Sequence, residues 1–154
     1  MDQEFLRQLY QLHASTSRVP SSEAVCTWLD NLLGLLFPEL AKQRFPSQRT
    51  FEHEFSIVRH RLFVILEILE EDLTASPTEI EEAFMEVLPH VHRLLEADAQ
   101  AILAGDPAAN SLREVIRTYP GFYAIAVYRL AHEFCQLGVP LIPRILSEHA
   151  HTLT

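Results

Sequence analysis

Glycine is scarce in this 154-residue chain: only Gly34, Gly105, Gly121 and Gly138. That excludes a glycine-rich phosphate loop and a glycine-punctuated solenoid within these residues. Cysteine is nearly absent too. Cys26 and Cys135 lie far apart, with no CxxC pair and no disulfide framework, which points to a reducing compartment. No apolar run approaches the roughly 18 residues that a spanning helix needs. The first residues, Met1-Asp2-Gln3-Glu4, lack the basic and apolar stretches of a signal peptide. A cytoplasmic location is the resulting expectation.

Basic charge is the other shortage. Lys plus Arg number 12 against 21 Asp plus Glu, a formal net charge of −9. Residues 106–154 balance Arg113, Arg117, Arg129 and Arg144 against Asp106, Glu114, Glu133 and Glu148, so the whole excess lies in residues 1–105. Such a surface repels phosphate backbones and anionic lipids, so neither nucleic acid nor membrane is an expected partner. The densest acidic run comprises Glu67, Glu70, Glu71, Asp72, Glu79, Glu81, Glu82 and Glu86. It reads as a solvated corner between helices.

What is abundant is apolar spacing of helical period. Hydrophobic residues make up 48% and charged residues 21%, a globular balance. A chain of this length buries roughly two-thirds of its surface without staples. Phe5, Leu9 and Leu12 suggest a first helix near 2–14. Ser21 or Ser22 caps a second, carrying Val25, Trp28, Leu29, Leu32, Leu33 and Leu36. Pro38 ends it or starts a short helix.

Residues 47–73 read as one long helix. Its seam of Phe51, Phe55, Val58, Leu62, Ile65 and Leu69 recurs every three to four residues. Ser76-Pro77-Thr78-Glu79 is the clearest start signal, a capping box with proline at the first helical position. Ile80, Phe84, Val87, Val91, Leu94 and Leu95 form that helix's apolar face. Pro89 should kink it, and Gly105 suits a left-handed position past its end. Asp106-Pro107 then reads as a new helix start, with Asp106 as cap. Tyr119-Pro120-Gly121-Phe122 reads as a turn. A helix ending at Gly138 follows, and Pro140 and Pro143 introduce a last one that reaches Thr154. The expected fold is all-α: a multi-helix bundle, with an acidic part over 1–105 and a connecting part over 106–154 that together form one structural unit.

The histidines and cysteines offer little chemistry. His90-Val91-His92 and His149-Ala150-His151 are i, i+2 pairs that point to different helix faces. His132-Glu133 lacks the second histidine of a zinc-protease helix, because position 136 is Gln136. No metal site is expected from these spacings. Cys26 and Cys135 read as core thiols rather than nucleophiles, and no G-x-S-x-G elbow is present. Asp106, on spacing alone, reads as a helix cap.

The C-terminal third carries a resemblance. It comprises Asp-Pro-Ala-Ala from Asp106, then Tyr-Pro-Gly-Phe-Tyr-Ala-Ile-Ala-Val-Tyr-Arg-Leu-Ala-His over 119–132, then Gly-Val-Pro-Leu-Ile-Pro-Arg-Ile-Leu-Ser-Glu-His-Ala-His over 138–151. This resembles the segment that joins the helical N-terminal domain to the catalytic domain in bacterial serine O-acetyltransferases. The resemblance implies transfer of an acetyl group from acetyl-CoA to L-serine in cysteine biosynthesis. It places the catalytic His–Asp pair and the acetyl-CoA groove in a left-handed β-helix of hexapeptide repeats, which follows the helical domain and would begin near Thr154.

The resemblance further implies that Asp106 helps hold the serine substrate, and that no catalytic, cofactor or metal residue lies in this chain. The family's helical domains join trimers into hexamers, for which the seam at Phe51–Leu69 and the apolar face at 122–135 are the expected surfaces. A C-terminal tail, also outside these residues, binds O-acetylserine sulfhydrylase. The residues alone leave a second reading open: a free-standing all-helical interaction module whose acidic helices bind a basic partner or another copy. On the family reading the chain on its own should transfer no acetyl group.

Overall fold

The computed structural model describes residues 1–153. Seven α-helices follow one another: α1 (Gln3–Ser15), α2 (Ser22–Leu36), α3 (Gln48–Ile68), α4 (Pro77–Gly105), α5 (Leu112–Thr118), α6 (Pro120–Gln136) and α7 (Ile142–Leu153). Short 3₁₀ turns at Pro38–Leu40 and Glu70–Asp72 close α2 and α3. No strand occurs among the described residues. No helix there is long and apolar enough to cross a membrane. The expectation that the last helix reaches Thr154 falls outside the described residues.

Most helix starts form for the local reason the sequence offers. Ser21 Oγ accepts from Ala24 N–H at 3.1 Å, and Ser47 Oγ accepts from Thr50 N–H at 3.1 Å. Ser76 closes the expected capping box: Glu79 N–H donates to Ser76 Oγ at 3.1 Å, and Ser76 N–H donates to the Glu79 carboxylate at 3.4 Å. Each such cap satisfies donors that the first helical turn leaves free. α4 continues through Pro89 without a break.

Three local expectations need correcting. Asp106 does not open a helix: residues 107–108 lie in a turn, and α5 starts at Leu112 under a Ser111 cap. Pro120 is the first residue of α6 rather than the middle of a turn, since its fixed φ and missing N–H suit that position. Gly105 stays within α4, and the left-handed glycine is Gly138, at φ 70°. There Val139 N–H donates to Phe134 O at 3.0 Å and Gly138 N–H to Cys135 O at 3.1 Å. That pair of bonds is a Schellman ending of α6.

One hydrophobic cluster draws on every helix from α2 to α7 and spans both sides of position 106. Its centre is aromatic. Phe84 of α4 stacks on Phe134 of α6 with ring centroids 4.5 Å apart. Trp28 of α2 lies 5.7 Å from each, and its indole N–H donates to Val58 O of α3 at 3.1 Å. Ile142, Leu146 and Ala150 of α7 are buried in the same cluster. Two bidentate ion pairs brace the bundle. Arg59 of α3 grips Glu81 of α4, at 2.5 and 2.9 Å, and Arg129 of α6 grips Asp98 of α4, at 2.5 and 2.9 Å. Glu81 therefore departs from the solvated reading of the acidic run. It is buried, and the guanidinium fork compensates its lost hydration.

Most of the faces expected to serve self-association turn inward, although Phe51 and Phe55 at the start of the α3 seam stay half-buried. Val58, Leu62, Ile65 and Leu69 of the α3 seam are buried, as are Phe122, Ala126, Val127, Leu130 and Phe134 of α6. α1 is the opposite: none of its residues is buried, and Phe5, Leu6, Leu9, Tyr10 and Leu12 are all exposed.

Candidate functional site

Asp106 follows directly on the end of α4, where its N–H still donates to Ile102 O at 3.1 Å. Its backbone then turns extended, with φ −115° and ψ 107°, as residues before proline tend to do. The side chain folds back over the turn. Oδ1 accepts from Ala108 N–H at 2.9 Å, and the Asp106 carbonyl accepts from Ala109 N–H at 3.1 Å. These bonds make an Asx turn, and they compete successfully with a helical start at Pro107. Ser111 takes over as cap, accepting from Glu114 N–H at 3.1 Å. The Ser111-x-x-Glu114 spacing was the signal in the sequence that marks this start.

The short α5 then brings Tyr119 back to the same carboxylate. Its hydroxyl donates to Asp106 Oδ2 at 2.7 Å, the short distance typical of a bond to an ionised oxygen. That hydroxyl, and then the Ala108 N–H, hold the Asp106 carboxyl below its usual range. Conversely, the hydrogen bond to Asp106 pushes the Tyr119 phenol up to about 12. Both shifts favour the same state, a carboxylate facing a neutral phenol, so the bond persists across neutral pH. Asp106 is thus a fixed, half-buried anion with one carboxylate oxygen on each donor, and each oxygen keeps further acceptor capacity. A compact cation such as an ammonium group is its natural complement.

Tyr119 is the residue that reading by spacing overlooks, because the pair is joined by tertiary folding across α5. Arg129, in the same C-terminal stretch, serves the scaffold through Asp98. Tyr123 also braces the bundle, donating from its hydroxyl to Asp30 Oδ1 of α2 at 3.1 Å. Burial, followed by the charge of Asp30, raises its phenol pKa.

The remaining candidates are scattered. Cys26 is half-buried and Cys135 is exposed, so Cys135 is not the core thiol expected. Burial and then Asp30 raise the Cys26 thiol, which disfavours the thiolate. His92 meets Leu36 O at 3.0 Å through Nε2, whereas His90 and His151 are exposed. Among the described residues no hydrogen bond joins a histidine ring to a serine hydroxyl or a cysteine thiol. No group of three or more His, Cys, Asp or Glu there is placed to hold a metal ion.

This helical domain, with the Asp106 carboxylate ordered at the end of α4, has relatives among known proteins. No protein-family model matches the chain. A plasmid-encoded serine acetyltransferase of Synechococcus elongatus is 45% identical over 82 residues, covering 53% of this chain and 26% of the relative. Serine acetyltransferases of Synechocystis and Mycobacterium tuberculosis are each 40% identical over 60 residues, 39% of this chain. Among solved structures, Entamoeba histolytica serine acetyltransferase 1, in complex with L-cysteine, superimposes with a TM-score of 0.71 at 28% identity. That superposition covers 96% of this chain and 57% of the other. Isoform 3 from the same organism shares the fold, with a TM-score of 0.69 at 23% identity. The chain is thus similar in sequence to serine acetyltransferases over up to about half of its length, and its all-α fold matches part of the solved ones. It spans about a quarter of the length of the curated relatives it matches and just over half that of the solved structures.

Proposed function

We propose that this chain is the helical domain of a serine O-acetyltransferase. In this reading it contributes Asp106 to the binding of L-serine and provides a surface for self-association. Acetyl transfer from acetyl-CoA needs a general base beside the serine hydroxyl and a groove for the acyl carrier, and both would come from a β-helix outside residues 1–154. The observation that carries the reading is the Asp106 carboxylate, ionised and held by two donors at the end of the long α4. It belongs to a chain that is similar to serine acetyltransferases in sequence and fold. The ammonium group of serine would dock on that carboxylate as a charge-assisted pair.

The test is a fusion of residues 1–154 to the catalytic β-helix of the Synechococcus elongatus plasmid-encoded relative. The fusion should convert acetyl-CoA and L-serine to O-acetylserine, while the 154-residue chain alone should not. A fusion that folds and binds acetyl-CoA yet leaves serine unacetylated refutes the proposal. So does acetyl transfer by the chain alone.

Self-association is supported by α1. A 13-residue helix is marginal in water unless its apolar stripe is covered, and Phe5, Leu9 and Leu12 recur on one face at i, i+4 and i+7 with nothing over them. The occupant of that face is proposed to be a second copy of the chain. Sedimentation velocity should therefore show an oligomer at tens of micromolar, reduced to monomer by the Phe5→Glu/Leu9→Glu pair with circular dichroism little changed. A wild-type monomer, or an oligomer indifferent to the pair, removes α1 from the interface. The sulfhydrylase partner would engage a tail beyond these residues.

A further inference from the structure

We infer that Tyr119 is a positioning residue for Asp106: its hydroxyl, fixed at the junction of α5 and α6, aims the Asp106 carboxylate at the substrate ammonium. The inference deepens the proposed role of Asp106 and rests on it. Without Tyr119 the carboxylate would be steered only by its own loop, through the Ala108 N–H. With Tyr119 it is referenced to the bundle.

The junction is held from several directions. Tyr119 N–H donates to Val115 O at 3.1 Å, and its carbonyl accepts from Phe122 N–H at 3.1 Å and from Tyr123 N–H at 3.4 Å. The residue therefore ends α5 and begins α6 at once. Phe122 is fully buried, and its ring meets Phe37 edge-on at 5.3 Å. α6 is further bound to α4 through Arg129–Asp98 and to α2 through Tyr123–Asp30. A continuous set of bonds thus runs from the core to Asp106 Oδ2, and the phenol is its last member.

Placement is what the substrate contact needs. An ammonium group that meets a misaimed carboxylate makes a longer, poorly aligned charge-assisted bond, so serine is held less tightly. Tyr119→Phe removes one oxygen atom and leaves the ring, the backbone bonds and both helix ends in place.

The test has two arms. In the 154-residue chain, NMR couplings across the Asp106 Cα–Cβ bond should report one rotamer for wild type and an average for Tyr119→Phe. The Asp106 carboxyl should also titrate at higher pH in the variant, because the donor that favours its ionised form is gone. In the fusion enzyme, Tyr119→Phe should raise KM for serine about fivefold and leave KM for acetyl-CoA in place, as expected for a misaimed contact to one substrate. An unchanged rotamer, or a fall in melting temperature with serine KM unaltered, overturns the inference and leaves Tyr119 a structural link. Asp106→Asn separates this failure from that of the parent proposal. If Asp106→Asn spares serine KM, the substrate role itself is wrong. If Asp106→Asn damages it and Tyr119→Phe does not, only the positioning role is wrong.

Discussion

Asp106→Asn in the fusion enzyme should lower kcat/KM for L-serine by about 30- to 100-fold, the 2–3 kcal/mol typical of a hydrogen bond to a charged group lost from a substrate site. The fold should tolerate the change. Asn can still accept from Ala108 N–H through its amide oxygen. Its NH₂ group can donate to the Tyr119 hydroxyl, which then reverses its role in the 2.7 Å contact. What disappears is the charge. Steady-state kinetics with serine varied at saturating acetyl-CoA read the loss, and thermal unfolding of the 154-residue chain provides the control. A variant with normal serine kinetics and a lowered melting temperature would reduce Asp106 to a pin for its own turn.

Trp28→Ala should cost about 4 kcal/mol, within the range for emptying an aromatic site in a packed core. That is a large share of a domain's usual 5–15 kcal/mol. Trp28 is buried at 1% exposure and touches both partners of the Phe84–Phe134 stack. Its N–H also supplies the buried polar link to α3. Removing it opens a void where α2, α3, α4 and α6 converge. Far-UV circular dichroism in a urea series is the suitable readout, since Trp28 is the single tryptophan and its fluorescence leaves with it. Phe51→Ala, at a half-buried ring on the rim of α3, should cost far less because its site is already open to water. A Trp28→Ala loss under 1 kcal/mol would show that the aromatic cluster is not the centre of the core.

These two residues divide along the line between local and long-range information. The helices were legible because their signals are local. A Ser cap accepts from an N–H only three residues along the chain, so Ser21 and Ser76 could be read in place. The three-to-four spacing of Val58, Leu62, Ile65 and Leu69 marks a buried stripe wherever its partner lies. Local signals are ambiguous where two of them compete. At Asp106-Pro107 a helix cap and an Asx turn use the same carboxylate, and only the 2.9 Å bond to Ala108 and the Ser111 cap downstream decide between them. At Tyr119–Phe122 the same proline serves a turn or a first helical turn.

Amino-acid order alone determined that this chain is all-helical, where its acidic excess lies, and that a carboxylate stands at position 106. Those properties depend on neighbours within a turn or two of the backbone. Only the tertiary structure decided that the α3 and α6 stripes face inward while α1 is left uncovered. It alone buried Glu81 against Arg59 and brought the Tyr119 hydroxyl onto Asp106. Each of these is a pairing between elements remote along the chain, and its energy exists only when the helices have packed.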